Sequence, residues 1–151
     1  HDQSEALAVS DQIIVMDQGV IAQTGTPQAL YERPRTAFVA GFMGEAMLFP
    51  GVVGPDGGVR LGPLRIQPRE TVRAGDVTVA IRPEAWRIDR GGGGLRGRLV
   101  KRAYLGSLHE YTFDTELGVL FVVSGDLDDV VDIGDEIGLR LAGRGVSVVA
   151  I

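Results

Sequence analysis

Few side chains of this 151-residue chain are equipped for covalent or acid–base chemistry. Cysteine is absent, which removes thiolate nucleophiles, thiolate metal ligands and disulfides together. Of the two histidines, His1 is a terminal residue expected to fray. His109 alternates with Tyr111 and Phe113, the period of a strand, and has no second histidine nearby to share a metal. The only lysine, Lys101, sits in Leu99-Val100-Lys101-Arg102-Ala103 without the glycine loop or the following Ser or Thr that a phosphate-cradling lysine needs. Asp126-Leu127-Asp128-Asp129 and the run from Asp132 to Glu136 offer oxygen ligands but lack the ordered Asp spacing and closing Glu of a calcium loop, so they read as a solvated acidic turn. No metal site is expected.

Arginine is the remaining chemistry. Arg96, Arg98 and Arg102 share one strand parity, opposite Leu95 and Leu99, which predicts positive charge gathered on one face. Such a face either meets water or holds an anion or a partner. Arg82-Pro83-Glu84 follows an apolar run and reads as a strand terminator, since Pro83 has no ladder donor and the flanking charges can stay in water.

The elements that must position these groups change character along the chain. Asp2 and Glu5 form a capping box for a short opening helix through Val9. Ile13-Ile14-Val15-Met16 and Val20-Ile21-Ala22-Gln23 flank Asp17-Gln18-Gly19, the pattern of a β-hairpin. Thr26-Pro27 supplies an N-cap and a proline at the first helical position, predicting a brief helix from Gln28 to Glu32, and a second spans Thr36 to Phe42. From Met47 onward short β-rich runs alternate with glycine: Val59-Arg60-Leu61, Leu64-Arg65-Ile66, Val77 to Ile81, Leu95 to Val100, Leu108 to Phe113 and Val119 to Val123. That density predicts a small barrel or sandwich. Gly75-Asp76 and Gly134-Asp135 each lead into a strand, compatible with either a degenerate duplication or a chance repeat of a common turn. Gly91 to Gly94 are expected to form a flexible connector. The aromatic residues Tyr104, Tyr111, Phe113 and Phe121 are expected to pack in the core.

The formal charge of −5 disfavours a phosphate-backbone partner, so no nucleic acid is expected. The acidity is concentrated in residues 1–46, with two arginines against six carboxylates. No apolar run reaches the roughly 18 residues of a membrane span, and the first residues lack the basic and apolar regions of a signal peptide.

Residues 1–46 resemble the segment after the switch of ABC importer ATPases, through His1-Asp2-Gln3, Glu5-Ala6-Leu7, Asp11, Ile14-Val15-Met16, Gly19, Gly25-Thr26-Pro27, Leu30-Tyr31, Pro34, Phe38-Val39, Phe42 and Gly44. Residues 47–151 resemble the transport-associated OB (TOBE) domain that follows such ATPases, most clearly at Ala80-Ile81-Arg82-Pro83-Glu84 and Gly106 to Phe113. The junction Glu45-Ala46-Met47-Leu48-Phe49 looks closer to the ferric-iron and polyamine importers than to the sugar importers.

The resemblance implies a mainly β fold: an OB-like small β-barrel regulatory domain (47–151) preceded by a short α/β remnant of the nucleotide-binding domain (1–46). It implies that His1 is the switch histidine of the parent ATPase, and that Arg82 and Glu84 are a contact element toward another subunit or the nucleotide-binding domain. ATP and magnesium are implied for the parent only; this chain lacks the phosphate cradle, carries no cofactor of its own and should not hydrolyse ATP. The implied partners are a second ATP-binding subunit, in a homodimer, and transmembrane permease subunits. The implied location is cytoplasmic, peripheral to the inner face of the cell membrane. The function so implied is a regulatory and dimerisation module; the alternative is a small-ligand or oxyanion sensor using Arg96, Arg98 and Arg102.

Overall fold

A computed structural model describes residues 11–150. His1 and the opening helix expected from Asp2 lie outside the described residues. Strands β1 (Ile13–Asp17) and β2 (Val20–Gly25) form an antiparallel hairpin. Gln18 and Gly19 both take positive φ, 52° and 80°, the geometry whose twist matches that of the strands it joins. Helices α1 (Pro27–Glu32) and α2 (Ala37–Phe42) each start on a threonine. Thr26 Oγ1 accepts from the Ala29 amide at 3.1 Å and Thr36 Oγ1 from the Val39 amide at 3.2 Å. Val15, Leu30, Val39 and Met43 bury one small apolar cluster between the hairpin and the helices.

The rest is strand. After β3 (Met47–Val53), β4 (Val59–Leu61), β5 (Leu64–Ile66) and β6 (Gly75–Ile81), a 3-10 turn (Pro83–Ala85) leads to β7 (Trp86–Asp89). Then come β8 (Leu95–Tyr104), β9 (His109–Thr115), β10 (Gly118–Ser124), β11 (Glu136–Leu141) and β12 (Val146–Ala150). Single alternation explains the short ones: Val59 and Leu61, like Leu64 and Ile66, bury one face while Arg60 and Arg65 keep the other in water. Trp86–Asp89 and Val146–Ala150, absent from the predicted strand runs, complete the ladders, and the strand expected at Gly51-Val52-Val53 begins earlier, at Met47.

Two five-stranded antiparallel sheets result, ordered β12-β6-β3-β4-β5 and β7-β11-β8-β9-β10. The orders are the same: a three-stranded meander, a fourth strand on the far side of the first, and an edge strand borrowed from the other half. The Gly-Asp repeat therefore marks equivalent strands, with Gly75 and Gly134 at positive φ leading into β6 and β11. The exchange knits the sheets over one core that includes Val79, Ile81, Trp86, Leu95, Phe113 and Leu139, giving the mainly β, OB-like fold expected. The crossing segments also bond each other, Arg82 N to Gly145 O and Ala142 N to Ala85 O, both at 2.8 Å.

Gly91 to Gly94 are not a loose tether. They carry the chain from β7 to β8 across β11, which lies between them. A Cβ on Gly138 would come within 2.1 Å of the Gly93 carbonyl oxygen, and one on Gly94 within 2.3 Å of the Leu139 oxygen. At Gly94 and Gly138 the two backbones touch.

Candidate functional site

The feature that joins the hairpin–helix segment to the sheets is Arg82, at the end of β6. Its residue is 2% exposed, so the solvated reading of this arginine does not hold. Nη1 donates to the carbonyl oxygens of Ala40 (2.8 Å), Gly44 (2.9 Å) and Glu45 (3.1 Å), and Nη2 to that of Tyr31 (3.1 Å). The guanidinium carbon lies 4.1 Å from the centre of the Tyr31 ring. The Tyr31 and Ala40 carbonyls lie in the last turns of α1 and α2, which carry partial negative charge and lack intrahelical donors, and those of Gly44 and Glu45 follow the end of α2. A guanidinium supplies five donors in a planar fork, so one side chain caps both helices at once. Burial pulls the Arg82 pKa below its ordinary value, partly opposed by Tyr31 and Glu84, yet the group stays charged.

Glu84 is exposed and works from the outside. Its carboxylate accepts the Tyr31 hydroxyl, closing a loop from Arg82 through Tyr31 to Glu84. Burial, then this bond, pushes the Tyr31 phenol up to about 12. The exchanged loop before β12 adds a second tie: Arg144 donates to the Glu32 carboxylate and Ser147 Oγ to the Glu32 carbonyl at 3.3 Å. The Arg144 bond, helped by Gln28, holds the Glu32 carboxyl below its ordinary range. Tyr31, Glu32 and Arg144 were not singled out as site residues in the sequence; only the buried run before Arg82 hinted that a charge there would need acceptors.

Arg96, Arg98 and Arg102 do not form one face. A bulge between Leu99 and Lys101 shifts the register of β8, so Arg102 pairs opposite buried Tyr111 while Lys101 lies opposite Thr112. Arg102 turns to cap the chain at Val131 O (2.9 Å) and Asp132 (3.2 Å). Arg96 reaches Glu136 at 3.8 Å, and Arg90 binds Asp129 at 2.7 Å. The acidic turn thus neutralises much of the positive strand; Arg98 alone of the three has no ion pair among the described residues. Such exposed pairs contribute about 0–1 kcal/mol each.

Of the four aromatic residues expected in the core, Tyr111 and Phe113 are buried, whereas Tyr104 and Phe121 are 65% and 53% exposed. Tyr104 follows the bulge and Phe121 faces outward on the edge strand β10. His109 is buried between Tyr104 and Tyr111, its ring nearly parallel to Tyr111 at 5.5 Å. It packs against both rings. Among the described residues no group of three or more His, Cys, Asp or Glu residues could hold a metal, and no helix is long and apolar enough to cross a membrane. An ATP–magnesium site does not fit these residues: Lys101 is exposed mid-strand, away from any glycine loop or helix N-terminus. The arrangement at Arg82 ties the two helices to the end of β6.

Residues 79–149 match the family described as TOBE domain. The chain is 41% identical over 155 aligned positions, 99% of its length, to the Fe(3+) ions import ATP-binding protein FbpC of Agrobacterium fabrum. Similar matches are to the proteins of that name from Rhizobium etli (40% over 99% of the chain) and Photorhabdus laumondii (39% over 93%). The chain spans less than half the length of these relatives, 44% of the first two and 41% of the third.

Proposed function

Because the chain belongs with the C-terminal parts of ABC importer ATP-binding subunits and carries a TOBE domain, we propose that it is their regulatory and dimerisation module. In the full-length protein it couples ATP hydrolysis to solute uptake. Ferric iron is the solute, by extension from the names of the relatives. The partners are a second ATP-binding subunit and transmembrane permease subunits, and the module works in the cytoplasm at the inner face of the cell membrane. ATP and magnesium bind elsewhere in the full-length protein, where His1 serves as the switch histidine.

The observation that carries this reading is the Arg82 lock. One guanidinium holds the ends of α1 and α2 to β6 through four bonds, so displacement of the helices is passed to the sheets without slack. Arg82 and Glu84 are then a contact element facing the nucleotide-binding segment of their own chain. Two separate apolar clusters, one under the hairpin and one between the sheets, support a division near residue 46.

The test is made on the full-length protein reconstituted with its permease. Arg82→Gln is expected to lower iron uptake per ATP hydrolysed while leaving nucleotide affinity unchanged; an unaltered ratio rejects the coupling role. Light scattering on the chain tests self-association, and a strict monomer at high concentration counts against a dimerisation role.

A further inference from the structure

A cleft of about 960 Å³ lies between the Gln23–Arg35 segment on one side and the β5–β6 loop with β12 on the other. Arg33, Arg35, Arg65, Arg69 and Arg73 stand on its walls. Only two carboxylates, Glu32 and Glu70, stand among them, in a chain whose formal charge is −5. Glu32 is already engaged by Arg144. Five arginines on the walls of one concavity, with Arg65 turned toward Asp56, raise the local potential, and the low-dielectric walls focus it.

The walls are built rather than incidental. Gln23 is 7% exposed and clasps the turn that carries Arg33 and Arg35 at both ends: its Nε2 donates to Arg33 O at 3.1 Å and its Oε1 accepts from Arg35 N at 2.8 Å. Opposite, Arg69 Nη2 donates to Gly143 O at 2.8 Å, which pins the β5–β6 loop across to the loop before β12. Arg65 is paired with Asp56. Arg33, Arg35 and Arg73 have no side-chain hydrogen bond or ion pair among the described residues.

We propose that this cleft binds a small polyvalent oxyanion, one carrying two or more phosphate or carboxylate groups. Guanidinium forks match both groups bidentately, and a monovalent anion would engage only one fork and leave the opposite wall uncompensated. Because Arg33 and Arg35 belong to the hairpin–helix segment and Arg73 to the loop joining β5 and β6, the bound anion tightens the docking of the two. The site is distinct from Arg96, Arg98 and Arg102 and does not depend on the coupling role, so either proposal can fail alone.

Calorimetric titration and thermal melting of this chain with pyrophosphate, with citrate, and with acetate at matched ionic strength test it. Saturable binding and a raised Tm are expected with pyrophosphate, citrate or both, and not with acetate; which of the two binds assigns phosphate or carboxylate chemistry. R33Q/R35Q/R73Q should weaken binding by about tenfold or more, and Arg73→Gln alone, in an exposed loop, by about threefold. R96Q/R98Q should bind as the parent chain does. The proposal is overturned if neither polyanion exceeds acetate, or if R96Q/R98Q weakens binding as much as the cleft variants do.

Discussion

Arg82 and the Arg96–Arg102 strand use the same side chain in opposite ways. Arg82 is withdrawn from water and meets four carbonyl oxygens; Arg96 and Arg98 stay in water, and Arg102, half shielded, closes one carbonyl and one carboxylate. A buried guanidinium has given up its hydration and is held by its acceptors, so removing either leaves the other orphaned. An exposed one exchanges a carboxylate for water at almost no difference in free energy. Location decides what an arginine contributes.

The comparison breaks most easily at Arg82. Arg82→Ala should cost about 3–5 kcal/mol in urea unfolding, since it strands several carbonyls at the ends of α1 and α2. A loss below about 1 kcal/mol would put Arg82 in the same class as the exposed arginines. Gly138→Ala is expected next, at about 2–3 kcal/mol, because its Cβ must displace the Gly93 carbonyl; an unchanged urea midpoint would mean that the crossing relaxes freely.

Tyr31→Phe keeps the ring under Arg82 and removes only the bond to Glu84, so about 0.5–1 kcal/mol should be lost at neutral pH. The phenol is raised from 10.0 to about 12 on folding, so its contribution is full below about pH 10 and disappears as pH rises toward 12. Denaturation curves of the two proteins should converge there. Glu32 behaves in the opposite sense: its depressed carboxyl stabilises above the ordinary carboxylate pKa and loses that effect as pH falls through its lowered value. Glu32→Gln should flatten that acid limb. Smallest of all, R96A and R98A should each stay within about 0.5 kcal/mol of the parent chain.

Much of the local structure was legible. Thr26-Pro27 and the alternation in Val59-Arg60-Leu61 act over a few residues, and the helix and strands appear where those patterns stand. The Arg96–Arg102 face was misread because a single inserted residue at the β8 bulge reverses parity, which no alternation count reveals in advance. The glycine run was misread because its neighbour, Gly138, lies more than forty residues away in sequence.

By itself, then, the sequence determined the hairpin, the capped helices, the density of strands and the family they resemble, since each rests on short-range stereochemistry or on an ordered motif. Only the tertiary structure decided that the two halves exchange their last strands, that Arg82 is buried under the helix ends, and that five arginines separated by up to forty residues share one cleft. Burial and charge density are sums over neighbours in space, and those neighbours come from distant segments that no local pattern names.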